Sequence, residues 1–372
     1  MERLIELCVE ITDRCVLNCI HCSTGASENP DKNKGLNYDE ICSVILDFCL
    51  CGGSILEISG GEPTLHSSLF EIVDFAKSKN LEVRLYTAGV AWDNKPGPLK
   101  EGFLKGLLTL GLDKIIFNLQ GPKEIHDFIT QKAGSFEAVY ESIKRAKKLG
   151  FWVGIHFVPM KPNAMKIGEV LEVAKNLSID EVALLRFVPQ GRGKANETEL
   201  KLTREELWGF LEYVVNLKKV FQEKPQIRTG CPLDFLGFID QTSELCNCKA
   251  AISSCSITPA GDVIPCPGFK QLHEFIAGNI REKSLEEIWT TAQVFDDIRK
   301  IDYRNLEICS KCSMLDTCKG RCLAQRARQY GNLLKGPDPD CNLYKRNKIG
   351  KRKSGGYYSG RGIKSSGSPS IG

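Results

Sequence analysis

The chain has no run of about eighteen apolar residues from which a membrane-crossing helix could be built. Its first residues, MERLIELCVE, carry acids inside the apolar stretch where a secretory signal would have a basic head and a long apolar core. These absences point to a cytoplasmic protein. Acid is missing altogether from residues 346–372, which hold seven lysines and arginines in a glycine- and serine-rich background. With few large apolar residues to bury, that stretch is expected to be disordered, as a solvated tail or a weak electrostatic arm for nucleic acid or an acidic partner. The whole chain is only +4, so residues 1–345 are net acidic. What is abundant is cysteine, with seventeen among 372 residues. A reducing compartment and a chain of this length argue against a disulfide framework and leave metal, iron–sulfur above all, as the account.

A composition of 42% hydrophobic and 26% charged residues is that of a globular protein of two to three domains. Apolar runs at 4–12, 54–61, 81–89, 113–121, 151–159 and 180–189 read as strands and alternate with helical patterns. Asn37 and Glu40 have capping-box spacing ahead of the stripe Ile41, Val44, Ile45 and Phe48. Val139, Ile143, Ala146 and Leu149 form a second stripe that stops at Gly150, and Thr203 with Glu206 opens a third helix. Six strand–helix units whose strands have no wet face predict an α/β domain with a parallel sheet, wound either as an open doubly wound sheet or as a partial barrel. Either places chemistry at the C-terminal strand ends.

The first such end carries EITDRCVLNCIHCSTG, with Cys15, Cys19 and Cys22 in a C-x3-C-x2-C array. Three thiolates on a four-iron cluster leave one iron open for chemistry; half of a zinc site completed elsewhere is the alternative. The second strand ends in Gly60, Gly61, Glu62 and Pro63, the third in Tyr86-Thr87-Ala88-Gly89, and the fourth in Asn118-Leu119-Gln120. Glycine permits close backbone approach there. From Cys231 onward the texture changes to short segments rich in cysteine. Cys248 is followed by twelve residues and Gly261, then by Cys266. Later come Cys309-x2-Cys312-x5-Cys318-x3-Cys322 and, after a gap, Cys341. Paired zinc knuckles would account for Cys309 to Cys322 but not for the others.

The cysteine loop and the GGEP turn resemble those of the radical S-adenosylmethionine (SAM) family, and the second array resembles its SPASM domain throughout. The resemblance implies a partial (β/α)6 TIM-type barrel over residues 1–200, a bridging helix at 201–230 and a SPASM domain at 231–345 before the tail. It implies SAM and three 4Fe-4S clusters. Cys15, Cys19 and Cys22 would hold the SAM-binding cluster, and Cys309, Cys312, Cys318 and Cys341 the outer auxiliary cluster. Cys248, Cys266 and Cys322 would hold the inner one, with Cys255 favoured over Cys246 and Cys231 as its fourth ligand unless that iron is open. SAM would be bound by Gly60, Gly61, Glu62, Pro63, Thr87, Asn118, Gln120 and Arg186. For Asn118 and Gln120 a plain role in holding the loop stands beside this, and for Arg186, the proposed carboxylate clamp, a salt bridge does. His156 reads as a satisfied interior histidine or a proton-handling group; with Arg186 it is the candidate for a catalytic role.

The implied reaction is reductive cleavage of SAM to a 5′-deoxyadenosyl radical that takes hydrogen from a peptide or protein. The outcome would be a thioether or carbon–carbon crosslink, an epimerisation or an oxidation. Pro267, where formylglycine-forming members carry aspartate, counts against that activity. A dehydrogenase acting on a small molecule is the second reading, and an iron–sulfur nucleic-acid-binding protein the third. An electron donor such as flavodoxin or ferredoxin is implied. Because the cluster loop begins at Cys15, a separate leader-recognition protein, a folded protein substrate or a small molecule such as an aminocyclitol is expected. Cys8, Cys42, Cys49 and Cys51 are expected to be ordinary small hydrophobes.

Overall fold

A computed structural model describes residues 2–28, 35–230, 235–239 and 247–342. Cys231, Cys246 and the basic stretch 346–372 lie outside the described residues. The strands are β1 (Glu6–Glu10), β2 (Ile55–Ser59), β3 (Glu82–Thr87), β4 (Val90–Trp92), β5 (Pro96–Pro98), β6 (Lys114–Asn118), β7 (Trp152–Phe157), β8 (Glu181–Leu184), β9 (Gln226–Thr229), β10 (Ser254–Ile257), β11 (Asp262–Ile264) and β12 (Gly278–Asn279). The helices of the first half are α1 (Tyr38–Leu50), α2 (Leu69–Ser78), α3 (Glu101–Thr109), α4 (Lys123–Thr130), α5 (Ser135–Lys148), α6 (Ile167–Asn176), α7 (Arg192–Ala195), α8 (Glu197–Leu200) and α9 (Arg204–Val220). The second half adds α10 (Leu285–Thr291), α11 (Gln293–Arg299), α12 (Leu315–Cys318) and α13 (Leu323–Tyr330).

All six strands expected from the sequence form, and their order β1-β2-β3-β6-β7-β8 is consecutive with every pair parallel. A doubly wound sheet reverses its order at a switch point and this one does not, so the wall is that of a (β/α) barrel left open. Four further strands extend it. β9 adds in parallel beyond β8, and β10 pairs in parallel with β1, register Leu7 to Cys255, before the antiparallel β11 and β12. The cysteine-rich half is therefore sewn onto the barrel's first strand rather than hung from a linker.

The capping boxes at Asn37/Glu40 and Thr203/Glu206 are both closed, and each helix starts where its box places it. The stripe Ile41, Val44, Ile45 and Phe48 is buried against the sheet. Each such side chain contributes on the order of 1.5–3 kcal/mol of burial. Along the strands the period of two divides the residues. Leu7, Leu56, Val83, Ile115 and Val153 are buried on the helix-covered face. Cys8, Glu57 and Arg84 are register partners on the opposite face, which also carries Tyr86, Asn118, His156 and Arg228. Cys8 pairs in register with Glu57 and Ser256 on that face, and burial together with Glu57 and Glu10 pushes its pKa up.

Candidate active site and cluster-binding loops

The strand-one loop and the GGEP turn interlock. Gly61 N–H donates to Thr12 O at 2.6 Å and Glu62 N–H to Arg14 O at 2.7 Å. A Cβ at Gly60, whose φ is +138°, would lie 2.4 Å from Thr12 O, and one at Gly61 2.3 Å from Arg14 O. Only glycine allows that approach. Pro63 opens the short turn that follows, with Glu62 capping it.

Glu62 is fully buried, and its carboxylate is filled from the protein. Oε1 accepts from Thr64 N (3.1 Å), Thr64 Oγ1 (2.7 Å) and Thr87 Oγ1 (2.7 Å), while Oε2 accepts from Ala88 N (2.7 Å). Burial still holds its pKa above the usual carboxylate range. Glu62 thus ties the end of β3 to the GGEP turn.

The cysteine loop is gripped from behind by the segment after β8. Arg192 donates to Cys19 O at 2.9 Å and to Ala26 O at 2.7 Å, and Asn196 Nδ2 donates to Ile20 O at 3.0 Å. Gly191 has a φ of +54°, and a Cβ there would stand 2.5 Å from Cys22 O. Burial pushes the Cys15 thiol up to about 12 and Cys19 well above its usual value, each raised further by neighbouring thiols of the loop. Such sulfurs become thiolates only when a cation sits among them, which is the donor chemistry an iron cluster answers.

Two sets of neighbouring cysteines occur in the second half. Cys248 and Cys322 both raise the pKa of Cys266, after its burial, and Cys322 is pushed up to about 12 chiefly by burial. Cys309 and Cys318 are neighbours, Arg321 hydrogen-bonds the Cys318 thiol, and Cys312 closes the short turn begun at Cys309. Cys341 is buried, its N–H bonded to Asp338 O at 2.9 Å. Among the described residues no three Cys, His, Asp or Glu side chains converge on a single-ion site.

Three sequence expectations are corrected. Cys255 does not join Cys248, Cys266 and Cys322: β10 turns it to the helix-covered face opposite Leu7, where its charged neighbours are Cys51 and Arg299. Arg186 is not poised as a cofactor clamp, because its guanidinium is taken by Asp338 (2.8 and 2.7 Å) and Asp340 (2.5 Å), all buried. Gln120 is spent internally. It accepts from Val158 N at 3.0 Å and donates to Asn118 and to His156 O, so the loop-holding alternative applies. Asn118 stays half-buried on the open face. Burial lowers the His156 pKa to about 3, which keeps that ring neutral beside Tyr86, the ring centres 4.9 Å apart.

Sequence reasoning missed Lys270 and Glu10. Lys270 Nζ bonds Glu10 Oε1, Thr24 Oγ1 at 3.0 Å and Ser23 Oγ at 3.2 Å, linking the hairpin after Cys266 to β1 and the cysteine loop. The pair is buried, and Glu10 Oε2 has no hydrogen-bond partner among the described residues. Neither residue belongs to a motif; the one available signal was a charged residue inside an apolar strand.

An interlocked glycine turn over a three-cysteine loop, with further thiols in the second half, fits an iron–sulfur enzyme whose first cluster Cys15, Cys19 and Cys22 would hold. The radical SAM superfamily model matches residues 9–181, and the model of the SPASM iron–sulfur cluster-binding domain matches residues 246–313. The chain belongs to the radical SAM superfamily and carries a SPASM domain, with SAM and 4Fe-4S clusters, auxiliary ones included, as its cofactors. It is 28% identical to the AdoMet-dependent heme synthase of Methanosarcina barkeri over 86% of this chain and 90% of that one. It is 27% identical to the PqqA peptide cyclase of Rhizobium meliloti over 89% and 85%. Among solved structures, SuiB of Streptococcus suis bound to its precursor peptide SuiA shares the fold, with a TM-score of 0.75 at 18% identity over 92% of this chain and 77% of that one.

Proposed function

We propose that this radical SAM enzyme acts on a peptide or protein, from which it abstracts hydrogen to install a crosslink or to epimerise or oxidise a residue. When bound, SAM and the cluster held by Cys15, Cys19 and Cys22 would supply hydrogen-atom abstraction, and the auxiliary clusters would supply electron acceptance. The protein's share is position. Cys15, Cys19 and Cys22 hold the first cluster, and the backbone of Gly60 and Gly61 takes the ammonium group of SAM. Glu62 and Thr87 keep the second and third strand ends in register with it, and Asn118 offers the ribose a hydrogen bond. Cys309, Cys312, Cys318 and Cys341 hold the outer auxiliary cluster, and Cys248, Cys266 and Cys322 the inner one, whose fourth ligand is Cys231, Cys246 or none.

The observation that carries the radical chemistry is the interlock of the cysteine loop with Gly60 and Gly61. The peptide reading is supported by the likeness to a peptide cyclase over most of both chains. A small-molecule reading, with a tetrapyrrole as substrate, has its own support in the likeness to a heme synthase. We place the enzyme in the cytoplasm, served by a flavodoxin or ferredoxin and by a separate leader-recognition protein. Among the described residues no helix is long and apolar enough to cross a membrane.

The test is 5′-deoxyadenosine formation by anaerobically reconstituted protein with dithionite and SAM. Two candidate substrates would be compared: peptides encoded beside the gene and iron coproporphyrin. Stimulation by a peptide, with a mass change in it, supports the first reading. Stimulation by the porphyrin alone replaces it with the second.

A further inference from the structure

Arg326 is completely buried, and none of its partners is a carboxylate. From α13 its Nε donates to Leu333 O at 2.8 Å, its Nη2 to Leu334 O at 3.2 Å, and its Nη1 to Gly320 O at 3.4 Å and Cys309 Sγ at 3.7 Å. Arginine is almost never fully buried unless it is paired with an anion. Among the described residues no acid forms an ion pair with it. The contrast is Arg186, which faces two buried aspartates. The space around the Arg326 guanidinium is kept open by Gly320, where φ is +76° and a Cβ would fall 3.2 Å from Nη1 and 2.4 Å from the Leu306 side chain.

We propose that Arg326 raises the reduction potential of the auxiliary cluster that Cys309 ligates, with that cluster's negative charge as its missing counter-ion. The inference rests on the ligand reading given for Cys309. A buried cation that donates an N–H to a ligand sulfur favours the electron-richer, reduced cluster over the oxidised one. Low local polarity strengthens the effect. Arg321 adds a second donor at Cys318. The inner thiols also have arginines near them: Arg186, whose charge is offset by Asp338 and Asp340, and Arg328, whose guanidinium donates to Gly268 O. The outer cluster is distinguished by a fully buried, carboxylate-free arginine that donates to one of its ligand sulfurs, so Arg326 acts on one of the two auxiliary clusters. α13 joins them, because Cys322 sits at its N-cap and Arg326 one turn later.

The experiment is a dithionite titration of the full-length, anaerobically reconstituted protein, followed by electron paramagnetic resonance, with iron and sulfide counted on the same samples. In Arg326→Gln one auxiliary signal is expected to require a lower potential, its reduced-to-oxidised ratio at fixed poise falling at least tenfold, about 59 mV for one electron. Iron content and the other signals stay unchanged. Arg326→Lys keeps the charge but not the fork and should fall between parent and Gln variant. Unchanged potentials at full iron content overturn the proposal. If the Gln variant sheds about four irons, the Lys variant decides: a lowered potential supports the proposal and the parental one overturns it. Full iron content in Cys309→Ala would instead sink the ligand reading on which the proposal stands.

Discussion

Thr87 Oγ1 donates to Glu62 Oε1 at 2.7 Å, which fastens the end of β3 to the GGEP turn at the end of β2. Four donors converge on that carboxylate, and a Glu62→Gln variant would point an amide at one of them. The lost charge-assisted bonds and the donor set against donor predict a destabilisation of about 2–4 kcal/mol. The readout that separates position from mere stability is SAM affinity by calorimetry on protein with its full iron content. It should weaken at least tenfold in Glu62→Gln and less in Thr87→Ser, which keeps the hydroxyl. Parental affinity in Glu62→Gln would sink this role.

His126 gives the fold an acid limit. Gln120 N–H donates to His126 Nδ1 at 3.1 Å, so the ring must be neutral there, and burial lowers its pKa to about 4. The unfolded chain binds the proton near 6.5 and the folded one only near 4, so the unfolded state holds more protons in between and stability falls as pH falls through that window. About 3 kcal/mol is the upper bound for one such group. His156, lowered to about 3 by burial, adds a loss in the same direction that extends to lower pH. Urea unfolding from pH 7 to 4 should show this slope, and His126→Asn, which keeps an acceptor but does not titrate, should flatten it. An equal slope in the variant would refute the assignment.

How much of this was written in the sequence depends on distance along the chain. The capping boxes at Asn37 and Thr203 close over three residues, and both were readable. Gly60 and Gly61 were readable as a turn that needs bare backbone, though not as the partner of Thr12 and Arg14. The failures are non-local. Arg186 meets Asp338 across 152 residues. Cys255 is turned away from the other inner thiols because β10 docks on β1, a pairing that no period or spacing announces. Lys270 and Arg326 were invisible because what singles each out is burial of a charge, and burial belongs to the fold.

The Arg186 correction yields its own prediction. Arg186→Met leaves Asp338 and Asp340 buried without a cation, which costs about 3–5 kcal/mol. The segment those aspartates anchor carries Cys341 and is also held by Trp208 Nε1 on Asp340 O at 3.0 Å. We therefore expect Arg186→Met to lose iron from the auxiliary clusters while SAM affinity per remaining catalytic cluster is unchanged. A selective loss of SAM affinity at full iron content would restore the clamp role.

Lys270 and Glu10 form the other buried charge pair, 260 residues apart, and its neighbours are Ser23 and Thr24, directly after Cys22. The pair joins the hairpin that follows Cys266 to the loop of the first cluster, so it couples the seating of the two halves. Lys270→Met strands the Glu10 carboxylate in the interior and should cost about 3–5 kcal/mol, whereas Lys270→Met with Glu10→Gln removes both charges and should recover most of it. A double-mutant cycle by urea unfolding measures the coupling. Additive effects would show that the two charges do not sense each other, whereas coupling of 2 kcal/mol or more, with first-cluster iron regained in the double variant, would mark the pair as the fastening between the barrel and the auxiliary-cluster domain.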